Sequence, residues 1–469
     1  MIQRPRSDRL APGEMVDGFL VWERLHAGAQ GMLYRVTGPE TGFPMLMKVP
    51  RLADGDGGAA LVSYETEAMI LPALSGMHVP RFVAAGDLRR VPYIVMEDVR
   101  GEILESILAR APFPPSEVVR LGAAVADALH SLHRQECVHC DLKPDNVLIR
   151  PDGNAVIIDF GLAWHTRFPD LLAEENRVTA GSAPYVSPEQ LLGVRGDPRS
   201  DVFSLGVILY ELATGELPFG IPMTDRESRQ RLWDNPDPPA LLSKEVTPAL
   251  QEVILRCLEP AVEKRYQSAA HVALDLRQPG QVQLTERAFR VKTTGFLERT
   301  QRWWRARAKP LQAQRVPRAL DSVPVVMVAV DTTHLDDERQ TAIQRATKRM
   351  LTQSDEFRLV CVTVVPAPPV GLSAEEETAV HVEHMVRLRN WSAQLALREQ
   401  RLSFHVLVAA DPAAALVEFA QRNNVDTIVL GAPRPNQHAF AWRRSVASGV
   451  TANAPCSVQV VRTPEKKAE

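Results

Sequence analysis

The chain is 469 residues long, 45% hydrophobic and 24% charged, with a formal net charge of −3, which is enough apolar material for two or three ordinary cores. No uninterrupted apolar run approaches the roughly 20 residues that cross a bilayer, and the opening Met1-Ile2-Gln3-Arg4-Pro5-Arg6 lacks the apolar core of a signal peptide. Of Cys137, Cys140, Cys257, Cys361 and Cys456 only Cys137 and Cys140 stand at CxxC spacing, and no second such pair joins them, so neither a disulfide framework nor zinc is implied, and a cytoplasmic protein with no membrane span is expected.

Residues 1–15 read as a tail. Leu25-His26-Ala27-Gly28-Ala29-Gln30-Gly31-Met32-Leu33-Tyr34 then reads as a hairpin that lacks side chains at Gly28 and Gly31, where backbone N–H groups can approach a phosphate. The apolar run Met45-Leu46-Met47 leads into Lys48, and Glu67-Ala68-Met69-Ile70-Leu71 continues into an apolar helical face. Tyr93-Ile94-Val95-Met96-Glu97-Asp98-Val99 is strand-like. His139-Cys140-Asp141-Leu142-Lys143-Pro144-Asp145-Asn146 comes next, and Asp159-Phe160-Gly161 follows thirteen residues after Asn146. An aspartate a few residues ahead of an asparagine can orient a hydroxyl while the asparagine holds a metal, and a second aspartate can complete that metal site. Asp201 sits in the middle of an apolar helix, where a carboxylate is costly unless paired, so its expected role is structural.

Residues 16–277 resemble a bacterial-type serine/threonine protein kinase domain, an α+β bilobal fold. The resemblance implies that Leu25, Gly28, Gly31, Leu33, Leu46 and Lys48 line a nucleotide site, with Met96 behind the adenine and the backbone of Glu97 to Val99 reading its edge. It implies ATP and Mg²⁺, the metal being held by Asn146 and Asp159. Lys48 should contact the α- and β-phosphates and pair with Glu67, with Glu65 as the fallback. Asp141 would orient a Ser or Thr hydroxyl and accept its proton, Lys143 would offset charge on the transferred group, and Ser182 would hydrogen-bond this pair. Gly181-Ser182-Ala183-Pro184-Tyr185-Val186-Ser187-Pro188-Glu189 corresponds to the loop that receives a peptide, so protein substrates are expected. Glu189 should find Arg265 as a buried ion pair, and Asp201 should brace the catalytic loop.

Several positions depart from the pattern. Cys140 stands where most regulated kinases carry the arginine that grips a phosphorylated activation loop, and a thiol cannot make that bidentate contact. A non-RD kinase of this kind should order its site without phosphorylation of Thr166 or Thr179. Cys140 itself reads as a small filler rather than a redox switch. His26 replaces the first glycine of the loop, and Leu33 and Leu46 replace smaller residues on opposite faces of the adenine slot. Added methylenes there should narrow the slot at a cost on the order of 1–3 kcal/mol.

From Arg277 to Leu320 the chain carries 11 Lys/Arg against two Glu, broken by Pro279, Gly280, Pro310 and Pro317. Residues 278–321 read as a basic linker in which Phe296–Arg305 could form an amphipathic helix that docks Trp303 and Trp304 on a folded domain; no nucleic acid is expected.

Residues 322–463 alternate continuous apolar strands with helical stretches, the pattern of a doubly wound α/β parallel sheet, and residues 464–469 read as a tail. This region resembles a universal stress protein domain through Asp331 after its first strand, the Val429-Leu430-Gly431 strand end and Ala454-Pro455-Cys456-Ser457-Val458. The resemblance implies a dimerisation or regulatory module, with a homodimer through the last strand. Members that bind ATP use Gly-x-x-Gly, nine residues, then Gly-Ser or Gly-Thr. Here Gly431 and Ser445 remain, but Arg434 and Arg444 replace the other two glycines, so no conventional nucleotide site is expected in this domain. The whole chain is expected to be a protein kinase regulated in cis. The alternative is a catalytically weak pseudokinase that acts as a scaffold.

Overall fold

The structure, a computed structural model, describes residues 10–28, 31–38, 42–51, 57–88, 90–175, 182–292, 323–333, 337–351, 357–366, 374–397, 401–432 and 445–462. Thr179, Gly181, the Phe296–Arg305 segment, Arg434 and Arg444 lie outside these residues.

The first lobe is an antiparallel sheet ordered β1-β2-β3-β4-β6-β5. Its strands are β1 (Met15–Val16), β2 (Phe19–Ala27), β3 (Gly31–Thr37), β4 (Met45–Pro50), β5 (Phe82–Ala85) and β6 (Ile94–Glu97). Alternation decides which face is buried. Met32, Tyr34 and Val36 of β3 and Met45, Met47 and Val49 of β4 pack with Val21, Tyr93 and Val95 into one core. The opposite face therefore carries Leu33 opposite Lys48, and Leu46 opposite Met96. Helix α1 (Gly57–Ile70) packs on this lobe.

The second lobe is helical, with short ribbons β7 (Glu102–Ile103), β8 (Cys137–Val138), β9 (Val147–Ile149), β10 (Ala155–Ile157) and β11 (Trp164–His165). Its helices are α2 (Leu104–Leu108), α3 (Pro115–His133), α4 (Leu171–Glu174), α5 (Pro188–Leu191), α6 (Pro198–Thr214), α7 (Asp225–Ser228), α8 (Pro239–Leu242), α9 (Pro248–Cys257) and α10 (Ala269–Arg277). Helix α6 is buried along almost its whole length and forms the spine of the lobe. The chain stays on this lobe beyond α10. Gln251 donates to the carbonyls of Arg287, Ala288 and Arg290, and Glu252 accepts from Thr285 and Ala288.

The C-terminal domain is an all-parallel sheet ordered β14-β13-β12-β15-β16, as its continuous apolar strands require. Its strands are β12 (Val325–Ala329), β13 (Arg358–Val365), β14 (Leu402–Val408), β15 (Thr427–Gly431) and β16 (Ser457–Val461). Helices α11 (Asp337–Leu351), α12 (Ala374–Ala393), α13 (Pro412–Arg422) and α14 (Val446–Asn453) alternate with them. Both faces are covered. Val326, Val328, Leu359 and Cys361 share a core with Ile343, Val382, Met385 and Trp391, whereas Val325, Met327, Val360 and Val362 share another with Leu416, Phe419 and Val450. The strand order reverses beside β12, which is the topological switch point of such sheets. Strand β14, at one edge, faces the kinase-like lobes rather than solvent, because His405 on it reaches Glu174 of α4.

Helices α6 and α9 pack closely at Gly206, where an added Cβ would lie 2.6 Å from Cβ of Cys257. We expect Gly206→Val to lower the unfolding free energy of the helical lobe by about 1–3 kcal/mol through overpacking. Urea denaturation followed by tryptophan fluorescence reads this directly.

Candidate active site

Strand β4 ends its apolar alternation by turning Lys48 toward the cleft between the lobes. Its Nζ lies 2.6 Å from Oε2 of Glu67 and 2.9 Å from Oδ1 of Asp159. Burial works against the ammonium charge, yet the carboxylates of Asp159 and Glu67 outweigh it and hold the Lys48 pKa above the usual lysine value. Burial would likewise raise Asp159, but Lys48 holds its carboxyl below the ordinary range. Glu67 is 1% exposed, and its second oxygen accepts from the Phe160 backbone N–H at 3.3 Å. One carboxylate therefore ties β4, α1 and the Asp159-Phe160-Gly161 turn together. Glu65 faces the other way and pairs with Arg389 of the C-terminal domain.

The segment after β8 brings the remaining groups together. Asn146 donates from Nδ2 to the Asp141 carbonyl at 2.9 Å and faces its carboxylate at 3.4 Å, which leaves the amide oxygen as an acceptor for a cation. Lys143 Nζ donates to Ser182 Oγ at 2.8 Å and lies 3.4 Å from Oδ2 of Asp141. The Ser182 backbone N–H donates to Oδ1 of Asp141 at 2.7 Å. Asp141, Lys143, Asn146 and Ser182 thus form one cluster. Tyr185 lies outside it, with its hydroxyl donating to Glu211 at 2.8 Å.

Asp201 is 1% exposed and accepts from the backbone N–H groups of His139 and Cys140 at 2.9 and 3.0 Å. His133, which sequence patterning did not single out, hydrogen-bonds the same carboxylate at 2.9 Å. Burial opposes ionisation of Asp201, but His133, His139 and these N–H groups outweigh it and keep the pKa below the usual aspartate value. The brace holds a bent backbone at Cys140, which has φ +63°; Asp159, with φ +66°, is a second left-handed position of the site.

Glu189 and Arg265 form a bidentate pair at 2.7 and 2.8 Å, and Arg265 also donates to the carbonyls of Glu259, Arg199 and Pro260. Two more buried arginines were not legible as functional. Arg231 donates to the carbonyls of Pro184 and Val186 and so shapes the loop around Tyr185; burial pushes its pKa down to about 10. Arg195 pairs with Asp170, the residue that caps α4, and donates to the Leu162 carbonyl.

The face of the first sheet opposite its core holds Leu33, Leu46, Lys48 and Met96 by cross-strand register. Gly28 N–H donates to the Gly31 carbonyl at 2.9 Å, and an added Cβ on Gly28 would lie 3.0 Å from Nε2 of His26. Leu25 sits at an irregularity of β2 and is 40% exposed. Glu97 ends β6 with its carboxylate beside Arg81 and Arg150, and Val99 is buried just beyond it.

In the C-terminal domain Asp331 is exposed, and its carboxylate accepts from the Thr333 N–H at 3.0 Å. Gly431 is covered by Arg339 of α11, which donates to the Gly431 carbonyl at 3.0 Å and lies where a Cβ would be. Ser445 caps α14.

Comparison with known proteins matches the protein kinase domain family to residues 19–275 and the universal stress protein family to residues 324–462. Serine/threonine-protein kinase PknB of Mycolicibacterium smegmatis is 31% identical over 275 residues, 58% of this chain and 43% of that protein. Serine/threonine-protein kinase PknL of Mycobacterium bovis is 31% identical over 278 residues, 59% of this chain and 69% of that protein. The crystal structure of the Mycobacterium tuberculosis PknI kinase domain is 22% identical with a TM-score of 0.46, covering 58% of this chain and 99% of that one. The chain spans less than half the length of several curated relatives it matches.

Burial pushes the Cys140 thiol up to about 12, whereas Cys456 is only partly buried. A reactive cysteine needs thiolate and access together. Native protein treated with iodoacetamide at pH 8 should therefore be alkylated at Cys456 first, with Cys140 unmodified until unfolding; peptide mass spectrometry checks the order.

Proposed function

Because the chain belongs to the protein kinase family through residues 19–275, we propose that it is an ATP- and Mg²⁺-dependent serine/threonine protein kinase regulated by its C-terminal domain. The observation that carries this reading is the convergence of Lys48, Glu67 and Asp159 with Asp141, Lys143, Asn146 and Ser182 across one cleft.

Each side chain then has a defined task. Lys48, held by Glu67, fixes the α- and β-phosphates of ATP. Asn146 and Asp159 supply an amide oxygen and a carboxylate, hard oxygen donors of the kind Mg²⁺ takes together with substrate phosphates. Bound Mg²⁺ would neutralise charge on the phosphates. Asp141 orients the acceptor hydroxyl and takes its proton as the hydroxyl oxygen bonds to the γ-phosphorus and the bond to ADP breaks. Lys143, steadied by Ser182, offsets charge on the transferred group. Positioning and electrostatics provide the acceleration.

The loop around Ser182 and Tyr185, shaped by Arg231 and anchored by Glu189 and Arg265, supports a peptide acceptor and hence protein substrates. Cys140 supports a site that orders without loop phosphorylation. Strand β16, at the sheet edge opposite β14, is where we place a homodimer contact.

Purified protein should incorporate labelled phosphate into itself or a generic Ser/Thr substrate with Mg²⁺-ATP, and Asp141→Asn should reduce this by about 10²–10⁴-fold. Silence in both, with no rise in melting temperature on adding ATP, would instead favour the scaffold reading, with Leu33, Leu46 and His26 closing the slot.

A further inference from the structure

Helix α1 presents two carboxylates to two different partners. Glu67 turns inward to Lys48, and Glu65, 7% exposed, turns outward to Arg389 of α12, whose guanidinium also stacks 5.0 Å from the Phe404 ring. A cavity of about 650 Å³ opens between α1 and the C-terminal domain, lined by Ala68 and Met69 on one side and Leu397 and Leu402 on the other, and Glu65 and Arg389 meet at its wall.

A second contact lies on α4, in the segment that follows the Asp159-Phe160-Gly161 turn. Glu174 is buried between Arg358 of β13 and His405 of β14, with His405 Nε2 at 2.7 Å. The other imidazole nitrogen lies 3.5 Å from Glu175. Arg358 and His405 are 4% and 1% exposed. Removing one member of such a group strands a buried charge, so the two domains are not held by surface attraction alone. From the other side, Asp170 and Arg195 anchor the start of α4 within the kinase lobe.

Leu171 and Leu172 of α4 pack directly on Val62 of α1. Gly161 lies so near α1 that an added Cβ would meet Ser63 Oγ at 2.0 Å. A continuous path of contacts therefore runs from Arg358 and His405 through α4 to α1 and on to the Lys48–Glu67 pair.

Resting on the kinase reading above, we propose that residues 323–462 are a built-in activating clamp. Arg389 grips Glu65 of α1 while Arg358 and His405 grip Glu174 of α4, and together they hold α1 where Glu67 meets Lys48. The carboxylate of Glu174 gives the activation segment a permanent anionic handle, and the C-terminal domain supplies the basic grip that Cys140 cannot. Undocking this domain would turn the kinase off.

The test uses full-length protein carrying Glu65→Arg, Arg389→Glu, or both. Each single change places like charges together; the double change restores opposite charges with the polarity reversed. Each single variant should lose at least about fivefold in kcat/KM for a peptide substrate, the lower range of measured coupling between sites. The double variant should recover most of the loss. Hydrogen exchange in α1 should rise in the single variants and fall back in the double. Wild-type kinetics in the singles, a gain of activity, or a double variant no better than the singles overturns the clamp. Should wild-type protein show no phosphotransfer, that result counts against the kinase reading alone. Exchange in α1 then decides the clamp: unchanged protection in the singles overturns it.

Discussion

The Lys48–Glu67 pair is the constraint from which the rest of the site follows. A carboxylate as buried as Glu67 is stable only when paired and hydrogen-bonded, and its partners come from β4 and from the turn at Phe160. Its position therefore fixes three elements at once. Without Glu67, Lys48 keeps only the carboxylate of Asp159, and the Phe160 N–H loses its acceptor.

The helical-lobe side of the cleft has an equivalent anchor in Asp201. Helix α6 is buried along its length, so a carboxylate on it has few available partners. Asp201 takes the backbone N–H groups of His139 and Cys140 and the imidazole of His133. This arrangement keeps Cys140 and the residues after it in a backbone conformation that an unsupported loop would abandon. The two anchors sit on different lobes, Glu67 on α1 and Asp201 on α6. The C-terminal domain touches α1 directly through Arg389 and indirectly through α4.

Much of this was legible in the sequence because local chemistry dictated it. The spacing from Asp141 through Asn146 to Asp159, the alternation leading to Lys48, and the isolated Asp201 each allow few arrangements. The apolar strands after residue 323 likewise required a parallel sheet with both faces covered. What escaped were residues whose partners are distant in sequence. Arg195, Arg231 and His133 look like ordinary polar residues until the fold buries them against Asp170, two loop carbonyls and Asp201. Arg339 gave no sign that it covers Gly431. The sequence ranks Glu67 ahead of Glu65 as the partner of Lys48 but gives no role to Glu65, which faces another way because residues two apart on a helix do not share a face. The fold sends Glu67 to Lys48 and Glu65 to Arg389 of the second domain. That domain contact was invisible beforehand, because neither domain's pattern mentions the other.

The central claim, that docking of the C-terminal domain holds the kinase in its working state, is tested most directly by making the docking permanent. Glu65→Cys and Arg389→Cys, in a chain with Cys456→Ser, can be bridged by a short bifunctional maleimide. The account predicts that the bridged protein phosphorylates a peptide at the wild-type rate, while the unbridged double cysteine variant is slower. A bridged protein that is inactive, with the unbridged form active, would mean that the C-terminal domain restrains the kinase and would contradict the account.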